Sequence, residues 1–142
     1  MRQETKLTLI KSVPFLQSKG EALVSRMYEI LFEENPSFRR MFESNNSKKL
    51  AGALLVFVQN LENLRILEPA LKNMALAHVK AGVKPEHYPK VWDALYQAMV
   101  EMGINQDFIE AWEEAYWFLA DVLISKEEKL CACLEEAKGD TQ

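Results

Sequence analysis

Apolar residues recur at three- and four-residue steps almost from one end of the chain to the other, and strictly alternating runs are nearly absent. That pattern predicts an all-α protein. An opening helix is expected over about residues 4 to 18, with Leu7, Ile10 and Leu16 on one side, Pro14 bending it and Lys19-Gly20 closing it. The next is expected from about Glu21 to Glu34, with Val24, Met27, Tyr28, Leu31 and Phe32 on one stripe. It ends at Asn35-Pro36, because a residue before proline avoids the helical region. Pro36 suits the first turn of a short helix that reads through Phe42, and the polar stretch from Glu43 to Ser47 is a loop by composition. A long helix follows over about Ser47 to Leu64, with Ser47 as candidate cap and Leu50, Leu54, Phe57, Leu61 and Leu64 in register. Another spans about Pro69 to Ala81, where Leu71, Met74, Ala75 and His78 fall together and Gly82 is the natural stop. Beyond the connector from Val83 to Pro89, two helices are expected, over about Pro89 to Met102 and about Gln106 to Glu136, with Gly103 between them. No internal repeat, low-complexity segment or linker interrupts the pattern, so the helices should share one core as a single domain over residues 1–142.

Where nearly everything is helix, the informative residues are the polar ones that the period sends inward. His78 follows Leu71 by seven residues and Met74 by four, which puts an imidazole on the buried stripe near a helix end. From position alone it is either a metal ligand through one ring nitrogen or a core histidine satisfied by a carbonyl. No second His, Cys or carboxylate stands at metal spacing on that helix, so a zinc site made by protein alone is not expected, whereas a cofactor with its own ligands would need only one. Glu127 follows Leu123 by four residues on the face defined by Tyr116, Leu119, Ala120 and Leu123. The period aims it at the core edge, where a carboxylate needs donors, unless the helix has drifted and the side chain is solvated beside Glu128. Tyr28 sits on an apolar stripe, either as an ordinary amphipathic core residue or with its hydroxyl seeking a partner.

Composition narrows the options. The chain has 142 residues, 49% hydrophobic and 27% charged, with 5 Gly and 5 Pro, which is the make-up of an ordered globular domain. A net charge of −4, from 17 basic and 21 acidic residues without long runs of like sign, gives no electrostatic footprint for nucleic acid. No apolar stretch approaches a membrane span and the N-terminus lacks a signal-peptide pattern, so a cytoplasmic protein is expected. Cys131 and Cys133, two residues apart, imply no disulfide framework and match no zinc or haem-attachment spacing. No Ser-His-Asp order, glycine-rich phosphate loop, CxxC pair or His-Glu-x-x-His run is present, which removes local support for hydrolase, nucleotide-binding and zinc-protease chemistry.

Several of these residues carry a family resemblance. The helix order, Tyr28 with Phe42 fourteen residues later, the phrase Gln59-Asn60-Leu61-Glu62-Asn63-Leu64, and Ala77-His78-Val79-Lys80-Ala81-Gly82-Val83 followed by Glu86-His87-Tyr88-Pro89 together resemble the single-domain bacterial haemoglobins. These are similar to the globin domain of flavohaemoglobins. The resemblance covers about residues 3 to 130, leaving a polar C-terminal tail, and implies a globin fold with helices A, B, C, E, F, G and H around a haem pocket. It implies haem b (iron protoporphyrin IX) as cofactor, with His78 as proximal ligand and Tyr88 and Glu127 hydrogen-bonding that histidine. Such bonds give the ring imidazolate character and push electron density toward the iron. On the opposite face Tyr28 would donate to bound ligand, Phe42 would pack on the porphyrin and Leu50 would wall the pocket. Val83 and Lys49 would also lie at the cofactor, Lys49 reaching a propionate if it is not simply solvated. Asn46 departs from the family, which usually has glutamine there. One methylene shorter, it is expected to fall short of the ligand or leave room for water, making Tyr28 the sole donor.

The function so implied is reversible binding of dioxygen, carbon monoxide and nitric oxide at haem iron, extending to nitric oxide dioxygenase chemistry given a separate reductase, since this sequence shows no flavin or nicotinamide domain. The alternative is a haem-based gas sensor or helical interaction module acting through a partner protein.

Overall fold

The computed structural model describes residues 1–42 and 46–140, with side chains through residue 134. Among them there is no strand; six α-helices are joined by short turns of 3-10 helix. They are α1 (Gln3–Lys11), α2 (Val13–Glu34), α3 (Ser47–Gln59), α4 (Glu68–Ala81), α5 (Tyr88–Glu101) and α6 (Gln106–Asp140). The 3-10 turns cover Pro36–Arg40, Leu64–Leu67 and Pro85–His87. The expected polar loop falls partly on residues 43–45, which lie outside the described residues.

The first two helices differ from the expected boundaries. The break falls at Ser12, two residues before Pro14, where the Ser12 amide and hydroxyl both donate to the Leu9 carbonyl and the Trp112 indole donates to the Ser12 hydroxyl at 3.3 Å. Pro14 then lies in the first turn of α2, where its missing N–H costs nothing. Gly20 does not close a helix; it lies buried inside α2, which packs chiefly on α3 and α5. Burial of Leu16, Leu23, Val24, Met27, Ile30 and Leu31 on one stripe outweighs the roughly 1 kcal/mol by which a helical glycine is disfavoured. The third expected helix also ends earlier, at Gln59 rather than Leu64, and Ser47 is its first residue rather than its cap.

Two hydrophobic clusters result. The larger is built from α1, α2, α3, α5 and the first half of α6. The smaller one contains Ala75, Tyr88, Ala120 and Leu123, with Leu71, Met74, Val83 and Ile124 packed around it. Helix α4 packs mainly on the smaller cluster and buries only Ala75 completely, with Leu71 also touching the main core. Gly82 ends it with a left-handed φ of 83°, the Gly82 amide donating to Val79 and the Val83 amide to His78. This closure reverses the chain four residues after His78 and returns Tyr88 toward it. No helix among the described residues is long and apolar enough to cross a membrane.

Candidate functional site

The two ends of the α4–α5 corner meet on α6. His78, one turn before the end of α4, places Nδ1 3.1 Å from the hydroxyl of Tyr88, the first residue of α5. That hydroxyl donates to both carboxylate oxygens of Glu127 on α6, at 2.7 and 2.8 Å. A Glu127 oxygen also lies 3.5 Å from Nδ1 itself. Glu127 is 7% exposed and is therefore a buried carboxylate satisfied by a donor, not a solvated neighbour of Glu128.

Protonation follows from the donor count. Burial raises the Tyr88 phenol well above its ordinary range, and the Glu127 carboxylate adds to that shift, so Tyr88 keeps its proton and gives it to Glu127. Its oxygen is then free to accept from His78, which requires the proton of the ring to sit on Nδ1. Burial lowers the His78 pKa and favours the neutral ring. The consequence is a fixed tautomer whose Nε2 carries a lone pair and points away from the relay. Burial also raises the Glu127 pKa, an effect opposed by the Tyr88 bond.

The sequence reading passed over a fourth member of this arrangement. Tyr116 donates its hydroxyl to the Tyr88 carbonyl at 2.6 Å and packs against the rings of Trp92 and Trp117. It lies eleven residues before Glu127 on α6, three turns away and hence on the same face. Helix α6 thus grips Tyr88 twice, by its backbone and by its phenol. The spacing was visible in the sequence, but nothing local marks a tyrosine that serves a backbone carbonyl.

A second group forms where α2 approaches the Pro36–Arg40 turn. Tyr28 is 8% exposed; its ring centroid lies 5.8 Å from Phe32 and 5.4 Å from Phe42. Arg39 stands over Phe32 at 5.4 Å. Burial raises the Tyr28 pKa, so its hydroxyl stays a donor, and among the described residues it has no hydrogen-bond partner. Leu50 on α3 is half-buried and packs on the same core as Phe42. Val83, also half-buried, packs with the Tyr88 cluster. Asn46, immediately before α3, and Lys49 in its first turn are exposed.

Comparison with known proteins gives this arrangement its context. The globin family profile matches residues 25–123. The chain belongs to the globin family. This globin is 40% identical over 135 residues to an uncharacterized globin-like protein of Aquifex aeolicus, covering 92% of the chain and 97% of that protein. It is 37% identical to a flavohemoprotein of Bacillus cereus, covering 92% of the chain but 34% of that longer protein. Among solved structures, an engineered carbene transferase derived from a proposed nitric oxide dioxygenase of Rhodothermus marinus superposes with a TM-score of 0.91 at 37% identity, covering 95% of this chain and 99% of that one. The all-helical architecture expected from periodicity is therefore a globin fold.

Proposed function

We propose that this globin binds haem b through Nε2 of His78 and holds dioxygen, carbon monoxide or nitric oxide on the opposite face, beside Tyr28. The observation that carries the proposal is the committed imidazole: with Nδ1 held by Tyr88, the ring offers one neutral nitrogen, the donor iron takes from a proximal histidine. The surroundings fit a flat apolar group, since Leu71 and Met74 share the His78 face of α4, and Phe42, Leu50 and Leu54 are half-buried side chains at the edge of the main core. Among the described residues no group of three or more His, Cys, Asp or Glu could hold an ion.

Bound haem supplies an iron that takes diatomic ligands and exchanges electrons with them. The chain supplies the rest. Glu127, through Tyr88, makes His78 a stronger electron donor than an imidazole bonded to a neutral carbonyl would be. Tyr28 presents a protonated hydroxyl, its ring held against Phe32 and Phe42, as a donor to a partly negative ligand. An electron-rich ligand below and a donor above together favour conversion of nitric oxide and dioxygen, with one electron, to nitrate. A separate reductase would supply that electron.

The test is an absorption spectrum of haem-loaded protein in ferric, reduced and carbon-monoxide forms, beside His78→Ala, followed by nitrate yield from nitric oxide under oxygen. A Soret band that shifts with carbon monoxide and depends on His78, with stoichiometric nitrate, is expected. An identical reduced spectrum in His78→Ala would contradict the ligand assignment, and no nitrate above haem-free controls would contradict the turnover.

A further inference from the structure

With no hydrogen-bond partner among the described residues, the Tyr28 hydroxyl takes its direction from ring packing alone. Phe32, one turn further along α2, stacks on the Tyr28 ring at an interplanar angle of 16°. Phe42 meets both rings, its centroid 5.4 Å from Tyr28 and 6.1 Å from Phe32. Phe32 is half-buried, and the Arg39 guanidinium stands over it, 5.4 Å from its centroid. The chain reaches this position by turning at Asn35, whose amide donates to the Leu31 carbonyl and whose carbonyl accepts from the Phe38 amide. Phe38 is buried and meets the His87 ring edge-on at 5.1 Å, which pins the Pro36–Arg40 turn. The turn thereby returns Arg39 to a ring seven residues earlier in the sequence. Arg40 is equally exposed, but among the described residues only Arg39 stands over an aromatic ring.

A guanidinium is attracted to an aromatic face by the ring quadrupole, and its apolar stem covers part of the surface that the ring leaves to water. Held in this way, Phe32 is a fixed wall for the ring stacked on it. The consequence falls on direction, because a hydrogen bond weakens steeply as its angle departs from linear. Dioxygen on haem iron carries partial negative charge and rewards a well-aimed donor, whereas carbon monoxide carries little and is nearly indifferent to one. We propose that Arg39 is a positioning residue: by holding Phe32 it fixes the direction of the Tyr28 hydroxyl, and so raises the preference of the site for dioxygen over carbon monoxide. The proposal rests on the haem-binding reading above.

The test compares haem-loaded parent, Arg39→Met, Arg39→Lys, Arg40→Met and Tyr28→Phe. Arg39→Met keeps the length of the side chain and removes its charge; dioxygen dissociation in stopped flow should accelerate by about threefold. Carbon monoxide association and the iron–histidine stretching frequency should stay at parent values. Arg39→Lys, which retains a cation without the planar fork, should fall between the two, and Arg40→Met should match the parent. In the infrared spectrum of the carbon-monoxide form, the C–O band should rise in Tyr28→Phe and broaden toward that position in Arg39→Met. Adding Arg39→Met to Tyr28→Phe should change neither reading further. Parent behaviour in Arg39→Met, with Tyr28→Phe moving both readings, would overturn the proposal and leave the haem-binding reading standing. Equal acceleration in Arg40→Met would assign the effect to surface charge and also overturn it. If Tyr28→Phe moves neither reading, Tyr28 does not face the ligand, and the proposal falls with that part of the haem-binding reading. Should Arg39→Met lose its native circular dichroism, Arg39→Lys decides, with the same direction and a smaller size. A missing Soret band marks failure to load haem; the aromatic carbon–proton resonances of Tyr28 in the haem-free chain then decide, since they should shift in Arg39→Met and not in Arg40→Met, and an absence of shift would overturn the proposal.

Discussion

The groups built around His78 and around Tyr28 follow opposite plans. On the His78 side every polar group but the ring Nε2 is engaged: imidazole Nδ1 to phenol, phenol to carboxylate, and a second phenol to the carbonyl of the first. On the Tyr28 side the ring packs on Phe32 and Phe42, and its protonated hydroxyl has no partner among the described residues. Hydrogen bonds formed within the fold set tautomer and direction before any ligand arrives, while a donor left open is available to whatever enters. On the proposed function, electronic tuning would fall to α4, α5 and α6, and ligand discrimination to α2.

The comparison can be broken by substitution. The largest effect should come from His78→Ala, which removes the proposed iron ligand; haem affinity should fall by about 100-fold or more in a haem-transfer assay. Next, Tyr28→Phe deletes the only donor named on its side, and dioxygen dissociation in stopped flow should accelerate by about tenfold, the equivalent of ~1.4 kcal/mol. If the rate stays the same, the hydroxyl does not reach the ligand. Tyr88→Phe leaves Glu127 buried without its donor and should cost about 2 kcal/mol in denaturant unfolding, whereas Tyr116→Phe should cost about 1 kcal/mol and leave the association rate for carbon monoxide unaltered. The smallest effect belongs to Asn46→Ala: as an exposed residue, it should change dioxygen dissociation by less than about twofold.

Acidity sharpens the same contrast. Burial holds the Glu127 pKa above its ordinary value, so the folded chain keeps this proton more readily than the unfolded chain. Its contribution to stability is full at low pH, below the unfolded value, and is lost as pH rises through the raised folded value. Glu127→Gln is neutral throughout, and its melting temperature relative to the parent should therefore rise as pH is raised above the ordinary carboxylate range. A constant difference would mean that Glu127 has the same acidity folded and unfolded.

Much of this was legible in the chain. The apolar period placed α3 to α6 within a few residues, apart from the early end of α3, because each helix buries a single stripe and is punctuated by Pro, Gly or a polar cluster. It erred at Ser12 and Gly20, where the stop depends on a buried serine bonded to Trp112 from a hundred residues away and where tertiary burial overrides glycine's preference. His78 and Glu127 were conspicuous as polar residues on apolar stripes. Their union through Tyr88 depends on the reversal at Gly82, a three-dimensional fact that spacing within one helix does not contain. The period put Tyr116 on the inward face, but its bond to Tyr88 was not legible, because a backbone carbonyl has no signature in sequence. Asn46 and Lys49 rest on the family resemblance alone, and both stand exposed at the start of α3.

The claim that the relay makes His78 electron-rich is tested most directly by resonance Raman spectroscopy of the reduced, haem-loaded protein and its Glu127→Gln variant. The account predicts that the iron–histidine stretching frequency falls in the variant, because a neutral amide draws less on the Tyr88 proton and His78 becomes a weaker donor. An identical frequency in the two proteins would contradict it, and Glu127 would then be a structural partner of Tyr88 alone.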